Sequence, residues 1–327
     1  MKWLGEEEGF EAINSLGKAK EPFLFMVSFD KQKIFAQALS KLDEDIYYKL
    51  ETQENTKRYT QISHFKNDFS FASSPISFAQ YEASLAKVLT QIRQGNSYLL
   101  NLTFATPIKT SLSLHSIYHQ AHAKFKLYFK GKFVCFSPER FVEISHNSIA
   151  TYPMKGTIDA QEKNAQEKIL NNPKEMAEHI MIVDLMRNDL GIVGSDVRVE
   201  AFRYIDKIQA GEKELLQVSS KIIASLEQNW QENIGTILAK LLPAGSISGT
   251  PKKSTLAIIK TIENYERGFY TGIFGIYNGT TLNSAVMIRF IEKQDEKLIY
   301  KSGGGITLDS QAKAEYQELL DKIYLPI

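Results

Sequence analysis

Short apolar segments follow one another without intervening helices, and this order constrains the fold more than any other feature of the sequence. Between Gly131 and Pro153 stand KFVCF, RFVEI and SIATYP, each rich in the β-branched and aromatic residues typical of strands. FYTGIFGIY, SAVMIRFIE and KLIYKSG repeat this order nearer the carboxyl end. Consecutive strands commonly pair as antiparallel neighbours. The sequence therefore predicts an α+β layered domain with mostly antiparallel sheets and helices outside them.

Two helices carry clear start signals. Ser77 is a good N-cap for a helix whose apolar residues recur every three or four positions, and Gly95 is expected to end it. Asn172 is expected to cap a long helix, with Pro173 in its first position. Glu175 stands three residues after this cap, so a capping box would account for its side chain without a metal. A closing helix is predicted in SQAKAEYQELLDKI.

Charge and cysteine content narrow the class of protein. The 39 basic and 38 acidic residues give a net charge of +1, which does not favour nucleic acid or an anionic membrane as a partner. The amino terminus does not resemble a secretion signal, and no apolar run is long enough to span a membrane. The single cysteine, Cys135, lies in a strand-like run and is interpreted as a buried hydrophobe. These features predict a soluble, cytoplasmic protein.

Two stretches offer backbone N–H groups to an anion. In SGTPKK, Thr250 is expected to cap a helix and Pro251 to open it, which leaves free N–H groups at a positive helix end. In KSGGGITLDS, Gly303, Gly304 and Gly305 follow a strand, and we expect a loop whose amides approach a ligand without interference from a Cβ atom. Both features are also common in ordinary turns, so neither alone defines a site.

Carboxylates and one guanidinium complete the pattern. Glu315 and Glu318 are three residues apart and share a helix face, a spacing that suits Mg²⁺ but also an ordinary solvated surface. Glu178 opens an almost wholly apolar helical run and therefore needs a partner. Arg289 stands in the apolar segment VMIRF, where its guanidinium needs a carboxylate from the protein or from a substrate. Together these residues predict an anionic substrate and a divalent cation.

Seven stretches, in order, resemble the chorismate-utilising enzymes, the family of anthranilate synthase component I, aminodeoxychorismate synthase component I, isochorismate synthase and salicylate synthase. They are SPERF, PMKGT, EHIMIVDLMRNDLG, PAGSISGTPK, ERGFYTG, VMIRF and GGGITLDSQAKAEYQE. The resemblance implies an enzyme of two packed β-sheets flanked by helices, with the active site between them, chorismate as substrate and Mg²⁺ as cofactor. We accordingly divide the chain into a support region, residues 1–75, packed on the same domain, and a chorismate-binding catalytic domain, residues 76–327.

The resemblance also implies roles for single residues. The metal ligands are expected to be Glu178 and Glu318, with Glu175, Glu263 and Glu315 as supporting or water-mediated candidates. The positions that match chorismate contacts are Gly156, Thr157, Tyr270, Arg289, Gly303, Gly304 and Gly305. Lys252, in GTPK, matches a lysine near the same pocket. Chorismate is a dianion, so one carboxylate is expected to chelate Mg²⁺ while the other meets Arg289 and backbone amides.

Lys155 separates the members of this family. Anthranilate synthases typically carry alanine at this position, whereas aminodeoxychorismate synthases carry lysine, as this sequence does in PMKGT. The resemblance implies that the lysine amine attacks ring C2 as the C4 hydroxyl departs, after which ammonia attacks C4 and expels the lysine. Because the amine must be neutral to act, we expect burial and a neighbouring Mg²⁺ to lower the pKa of Lys155.

Two departures from the family pattern bear on the reaction. Relatives that add water carry a lysine base where this sequence has Leu99, and leucine cannot deprotonate water, so hydroxylation at C2 is not expected. Relatives commonly read HLVS, with a histidine near the departing hydroxyl, and we place Leu216 at that position. The general acid therefore stays open. Gln217 offers only a hydrogen bond, and Lys252 is another candidate.

The source of ammonia must lie outside this sequence, because no stretch resembles a glutamine amidotransferase. We expect free ammonia or a separate glutamine amidotransferase subunit as the partner. The leading interpretation is aminodeoxychorismate synthase component I, acting towards 4-aminobenzoate and folate. The alternatives are anthranilate synthase component I, which releases anthranilate and pyruvate, and a chorismate-binding subunit without catalytic activity.

Overall fold

The computed structural model describes residues 3–56, 69–210 and 213–327. The helices in these ranges are α1 (Glu6–Lys18), α2 (Phe78–Arg93), α3 (Leu114–Gln120), α4 (Ala165–Asn171), α5 (Pro173–Gly191), α6 (Ile234–Leu241), α7 (Gly245–Ser248), α8 (Lys252–Ile262) and α9 (Ala312–Asp321). The strands are β1 (Phe23–Val27), β2 (Ile34–Ala38), β3 (Ile46–Leu50), β4 (Gln53–Glu54), β5 (Phe71–Ser73), β6 (Leu99–Thr110), β7 (Phe125–Phe129), β8 (Phe133–Ser137), β9 (Arg140–Ser145), β10 (Ser148–Thr151), β11 (Met154–Asp159), β12 (Ser195–Ala210), β13 (Lys213–Ser225), β14 (Gly249–Thr250), β15 (Ile273–Tyr277), β16 (Leu282–Val286), β17 (Phe290–Gln294) and β18 (Lys297–Ile306).

These strands form two antiparallel sheets. The order in the first sheet is β11–β13–β10–β9–β16–β15–β1–β2, with β12 also paired to β13. The order in the second is β14–β6–β18–β17–β8–β7–β3–β4, with β5 paired to β6. The strands β8, β9 and β10 correspond to the three consecutive segments recognised between residues 131 and 153. The predicted α+β architecture with antiparallel sheets is confirmed.

A layer of large apolar side chains fills the space between the two sheets. Met26 and Phe274 contribute from the first sheet, and Phe133 and Phe290 from the second. The rings of Phe133 and Phe290 are stacked with their centroids 5.0 Å apart. Cys135 is fully buried in the same layer, and burial raises the pKa of its thiol. Its interpretation as a buried hydrophobe therefore agrees with its surroundings.

Helices cover the outer faces of both sheets. The helices α1, α5 and α6 share a hydrophobic cluster with the first sheet, whereas α2, α8 and α9 share one with the second. The strands β1 and β2 extend the first sheet, and β3 and β4 extend the second, so the amino-terminal residues contribute to both. The division of the chain at residue 75 stays a prediction. Among the described helices, none combines the length and apolarity needed to cross a membrane.

The start of α2 follows the sequence signals closely, and that of α5 follows them in part. The Ser77 hydroxyl accepts a hydrogen bond from the Gln80 N–H, and the Gln80 side chain accepts one from the Ser77 N–H. The Asn172 side chain accepts hydrogen bonds from the N–H groups of Lys174 and Glu175. The capping box predicted for Glu175 is wrong, because its carboxylate does not return to the Asn172 N–H.

The start of α8 differs from the prediction. Thr250 belongs to β14, where it pairs with Leu99 of β6, and the extended backbone continues through Pro251. Pro251 is therefore the N-cap, and the helix begins at Lys252. Because Thr250 is paired with β6, its backbone is extended and it does not act as the N-cap of α8. This long-range partner is not visible in the local sequence.

The contact between α1 and α6 predicts a large cost for a small substitution. A Cβ atom at Gly235 of α6 would lie 2.0 Å from the Phe10 carbonyl oxygen of α1. We expect Gly235→Ala to lower the free energy of unfolding in urea by about 1–3 kcal/mol, although alanine is the better helix former. Gly5→Ala is the control, because nothing lies within 4 Å of the added atom. Equal stability of the two variants would contradict this packing.

Candidate active site

One cavity of about 1020 Å³ contains most of the residues that the sequence analysis selects. Both sheets contribute to its walls, through β11 and β13 on one side and β6 and β18 on the other, and α5, α7 and α9 complete them. The selected residues in its lining are Lys155, Gly156, Thr157, Glu175, Glu178, Tyr270, Arg289, Gly303, Gly304, Gly305 and Glu318. Residues more than 150 positions apart in the chain are thus brought together by sheet pairing and helix packing.

Lys155 projects from β11 and is paired with a carboxylate of α5. Its Nζ atom lies 2.7 Å from Oε2 of Glu178. Burial acts to lower the pKa of Lys155, but the hydrogen bond and charge of Glu178 outweigh it, with smaller contributions from Glu318 and Glu175. The resulting pKa is raised. The downward shift expected from the sequence is therefore not present in this arrangement, in which Glu178 stabilises the ammonium.

Gly156 is required by the path of the chain next to Lys155. Its φ angle is +89°, a conformation that side-chain-bearing residues rarely adopt. A Cβ atom here would also lie 3.0 Å from Oε2 of Glu175. That Glu175 oxygen is buried and has no hydrogen-bond partner among the described residues. Glu175 thus points into the cavity rather than to its own helix end, and it is available to a ligand.

Glu318 faces the cavity from α9 and is paired with a nearby lysine. Lys322 lies one turn further along, with its Nζ atom 2.6 Å from Oε1 of Glu318 and 2.8 Å from the Gly303 carbonyl oxygen. Burial favours the neutral carboxyl, but the Lys322 ammonium outweighs it and lowers the pKa of Glu318. Glu315 accepts a hydrogen bond from the Ser310 hydroxyl, and the cavity lining does not include it. Lys322 was missed, although its spacing of four from Glu318 is typical of helical ion pairs.

The glycine triplet lies in a strand, not in the predicted loop. Gly303, Gly304 and Gly305 belong to β18 and pair with Thr103, Leu102 and Asn101 of β6. A Cβ atom at Gly303 would lie 2.4 Å from the Leu102 carbonyl oxygen, whereas one at Gly304 would lie 3.5 Å from Oε1 of Glu318. Glycine is needed at position 303 because β6 lies against the strand there, whereas a Cβ atom at Gly304 would make only an ordinary contact with Glu318.

Arg289 is the cation of the cavity that has no carboxylate partner in the part of the chain that the structure describes. It lies at a bend between β16 and β17, with φ of +52°, and not within a strand as predicted. Its Nε atom is buried without a hydrogen-bond partner, and its guanidinium lies 5.8 Å from the centre of the Tyr324 ring. Tyr270 is buried beside it in the lining. A free, partly buried guanidinium is suited to an anionic ligand.

Besides Glu315, two selected residues lie outside the cavity lining and form other contacts. The Lys252 Nζ atom is 2.9 Å from Oδ1 of Asp189 and 2.8 Å from the Leu241 carbonyl oxygen. The Glu263 carboxylate receives two hydrogen bonds from Arg267, at 2.7 and 2.8 Å, and two from Thr103. Neither residue lines the cavity in this structure, and their roles at the site stay predictions. Both residues hold elements around the cavity together.

Glu139 is a lining residue that the sequence analysis did not single out. It follows Pro138 in SPERF, and its Oε1 atom accepts a 2.6 Å hydrogen bond from the Ser246 hydroxyl of α7. Burial raises the pKa of Glu139, and this effect exceeds those of Ser246 and of the charges of Arg289 and Lys322. The signal that could have identified it is a carboxylate placed directly before the apolar strand RFVEI.

Side chains alternate between the two faces of β13, and this alternation puts Gln217, rather than Leu216, in the cavity wall. Leu215 and Gln217 line the cavity, and Leu216 is buried on the other face of the strand. Side chains alternate between faces in a strand, so only one of two neighbours reaches a given site. Gln217, not Leu216, therefore occupies the wall next to Lys155. Leu99 lines the cavity as a purely apolar side chain.

The carboxylates of the cavity fit a magnesium ion that is bound by the protein and the substrate together. Among the described residues, no three or more His, Cys, Asp or Glu side chains are grouped to hold a metal ion. Mg²⁺ in enzymes is usually held by one or two carboxylates together with substrate oxygens and water. Glu178 and Glu318 line the same cavity and both act on Lys155. The donor set therefore fits Mg²⁺ shared with a substrate.

Residues 13–326 match the model of the chorismate binding enzyme family. The chain belongs to this family. It is 49% identical over 318 residues to an uncharacterized PabA-like protein of Pasteurella multocida, which covers 97% of this chain and 98% of the relative. It is 31% identical to the aminodeoxychorismate synthase component 1 of Escherichia coli, over 79% of this chain and 60% of that protein. The resemblance drawn from the seven motifs is confirmed.

Solved structures support the same assignment. The menaquinone-specific isochorismate synthase of Escherichia coli superposes with a TM-score of 0.73 over 98% of this chain and 82% of its own, at 14% identity. Anthranilate synthase component I of Streptococcus pneumoniae gives a TM-score of 0.65 at 25% identity, over 78% of this chain and 58% of its own. The first likeness concerns the fold alone. The expected architecture of two packed sheets with flanking helices is confirmed.

The position of Glu263 predicts an effect on stability. Glu263→Gln leaves the Arg267 guanidinium buried without its counter-charge, since both side chains are 2% exposed. We expect the free energy of unfolding in urea to fall by about 3–5 kcal/mol. Glu162→Gln is the control, because Glu162 pairs with Lys168 on the exposed surface, where such pairs contribute about 0–1 kcal/mol. A similar small loss in both variants would contradict the structural role of Glu263.

Proposed function

We propose that this chain aminates chorismate at ring C4 with ammonia, giving 4-amino-4-deoxychorismate and water. The observation that carries the proposal is the position of Lys155, whose amine lies in the cavity among the carboxylates of Glu178, Glu318 and Glu175. Several relatives of 28–34% identity are named aminodeoxychorismate synthase component 1. Two others, at 31% and 33% identity, are named anthranilate synthase component 1, so the choice between the two reactions rests on Lys155.

Binding of the dianionic substrate rests on the cations of the cavity. Arg289 has an unpaired Nε atom and is suited to one substrate carboxylate. Mg²⁺, held by Glu178 and Glu318, would supply positive charge for the other carboxylate. The Tyr270 ring and the bare backbone of Gly304 leave room for the ring of the substrate. These residues bind and orient the substrate with C2 towards Lys155.

The reaction then proceeds in two displacements. The Lys155 amine forms a bond to C2, both ring double bonds shift by one position, and the C4–O bond breaks as the hydroxyl takes a proton and leaves as water. Ammonia next forms a bond to C4, both double bonds return, and the bond between Lys155 and C2 breaks. The protons released by the two nitrogen atoms restore the acid and the lysine. The sum is chorismate plus ammonia giving the amino product plus water.

Lys155 must lose its proton before the first displacement. In the structure Glu178 stabilises the ammonium. When the Glu178 carboxylate is engaged elsewhere, burial remains as the main influence on Lys155 and favours the neutral amine. Site assembly around the substrate therefore activates the nucleophile.

Glu139 is the group best placed to protonate the departing hydroxyl. It lines the cavity, and burial raises its pKa, which favours the protonated form that a general acid needs. Lys252 loses this role because it is bound to Asp189 outside the lining. Gln217 has no proton to give at neutral pH.

We further propose that a separate glutamine amidotransferase subunit supplies ammonia in the cell. The single cysteine of the sequence, Cys135, is buried in the core between the sheets. It is therefore not a nucleophile for glutamine hydrolysis. Free ammonium salts should replace the partner in vitro.

The decisive experiment incubates the pure protein with chorismate, Mg²⁺ and an ammonium salt and identifies the product by mass spectrometry. We expect 4-amino-4-deoxychorismate, and without ammonia a covalent adduct in the intact mass of the protein. Lys155→Ala should lose the adduct and almost all turnover, whereas Lys168→Ala, at an exposed position of α4, should retain both.

Other products would support the alternatives. Anthranilate with pyruvate, together with full activity of Lys155→Ala, would identify an anthranilate synthase. Chorismate binding without turnover at saturating ammonia would identify a non-catalytic subunit. Isochorismate is not expected, because Leu99 cannot act as a base for water.

The raised pKa of Glu139 predicts the pH dependence of the first displacement. The acid form is present below the folded-state pKa and is lost as the pH rises through it. The rate of adduct formation without ammonia should therefore fall on the alkaline side. Glu139→Gln should lower this rate by about 10²–10⁴-fold and abolish that limb of the profile. Retention of both the rate and the limb in Glu139→Gln would rule out this acid, and Glu162→Gln is the matched control.

A further inference from the structure

Unsatisfied polar atoms are concentrated in the cavity. Buried oxygen or nitrogen atoms without a hydrogen-bond partner in the described structure include Asn101 Oδ1, Glu175 Oε2, Gln217 Oε1, Arg289 Nε and Ser302 Oγ, all on residues of its lining. A buried polar atom without a partner is costly, so such a concentration indicates groups that a ligand completes. Two of the oxygen acceptors, on Glu175 and Gln217, flank the strand that carries Lys155.

The register of the sheet places these two acceptors. Gln217 of β13 is the direct partner of Thr157 of β11, two residues beyond Lys155. Lys155 lies in the irregular stretch of β11 between the paired positions Met154 and Thr157, and Lys155 and Gln217 both line the cavity. Glu175 approaches the strand at Gly156, where its Oε2 atom is 3.0 Å from the position of a Cβ atom.

Chorismate alone does not satisfy both acceptors. It carries two carboxylates, one enol ether oxygen and a single hydroxyl, and therefore has one hydrogen-bond donor to offer. In the ligand-free structure the lysines of the wall are bound to Glu178 and Glu318, and neither lysine donates to these two acceptors. In the proposed adduct the Lys155 nitrogen is bonded to ring C2. The second substrate of the proposed reaction, ammonia, has three N–H donors and one lone pair. Acceptors that take its N–H groups leave the lone pair free to attack carbon.

We propose that Gln217 Oε1, assisted by Glu175 Oε2, forms the binding subsite for ammonia beside Lys155. The inference rests on the proposed amination and specifies where its nitrogen substrate binds. Gln217 is the main determinant of ammonia binding, because its carboxamide oxygen accepts a hydrogen bond while the side chain carries no net charge. The subsite places the nitrogen against the ring carbon from which the hydroxyl departs.

The test measures the KM for ammonium and the KM for chorismate separately in wild type and in Gln217→Met, which keeps the length of the side chain and removes the acceptor. We expect the KM for ammonium to rise about tenfold, the effect of one lost hydrogen bond. The KM for chorismate should change less than about twofold. Gln217→Glu, which keeps an acceptor, should restore the KM for ammonium.

Adduct formation in the absence of ammonia is the internal control. Gln217→Met should still form the Lys155 adduct, which would show that the variant is folded and competent in the first displacement. If Gln217→Met is unfolded, Gln217→Asn, which withdraws the oxygen by one methylene, takes its place with the same expected change.

The outcomes separate this inference from the proposed function. An unchanged KM for ammonium, or a rise confined to the KM for chorismate, would overturn the subsite while amination by the wild type stands. In the second case the Gln217 oxygen accepts from the substrate hydroxyl instead. Absence of the amino product from the wild type would overturn the amination itself.

Discussion

A fully buried ion pair between Glu263 and Arg267 joins the elements that surround the cavity. Arg267 also donates to the carbonyl oxygens of Asn101 in β6 and Ile247 in α7, at 2.6 and 3.0 Å. One guanidinium thus fixes the end of α8, a strand of the second sheet and a short helix at the cavity wall. Buried ion pairs often contribute little net stability compared with apolar residues of the same volume, so we interpret this one as a device for geometry. The turn that follows it carries Tyr270 into the lining.

The charges in the cavity are partly balanced by pairs of side chains of opposite sign. Two of its carboxylates are paired with lysines, Glu178 with Lys155 and Glu318 with Lys322, whereas Arg289 has no such partner in the described structure. These pairs keep the charges of an open, water-filled cavity compensated. When a ligand brings two carboxylates and a divalent cation, the charged side chains of the cavity exchange their present partners for new ones. The free-energy cost of removing these side chains from water therefore arises in both the ligand-free and the ligand-bound protein.

The sequence predicted the features that depend on local chemistry or on recurring motifs. The antiparallel α+β fold, the Ser77 and Asn172 caps and most of the selected site residues were predicted correctly in position, because neighbouring residues or recurring motifs carry the signal. Features that depend on distant partners were not accessible. Strand pairing with Leu99 made Thr250 extended, and a register set by β11 decided that Gln217 rather than Leu216 faces the cavity. Lys252 is paired with Asp189, 63 positions earlier in the chain, and therefore lies outside the cavity lining.

Burial of Cys135 has a practical consequence for studying this protein. The only thiol of the chain lies in the layer between the sheets with its pKa raised, so the thiolate that reacts with maleimides or iodoacetamides scarcely forms in the folded state. A cysteine introduced at Met181, which is partly exposed at the cavity on α5, would then be the sole reactive position. A fluorophore attached there would report the arrival of ligands in real time, with every native residue other than Met181 retained.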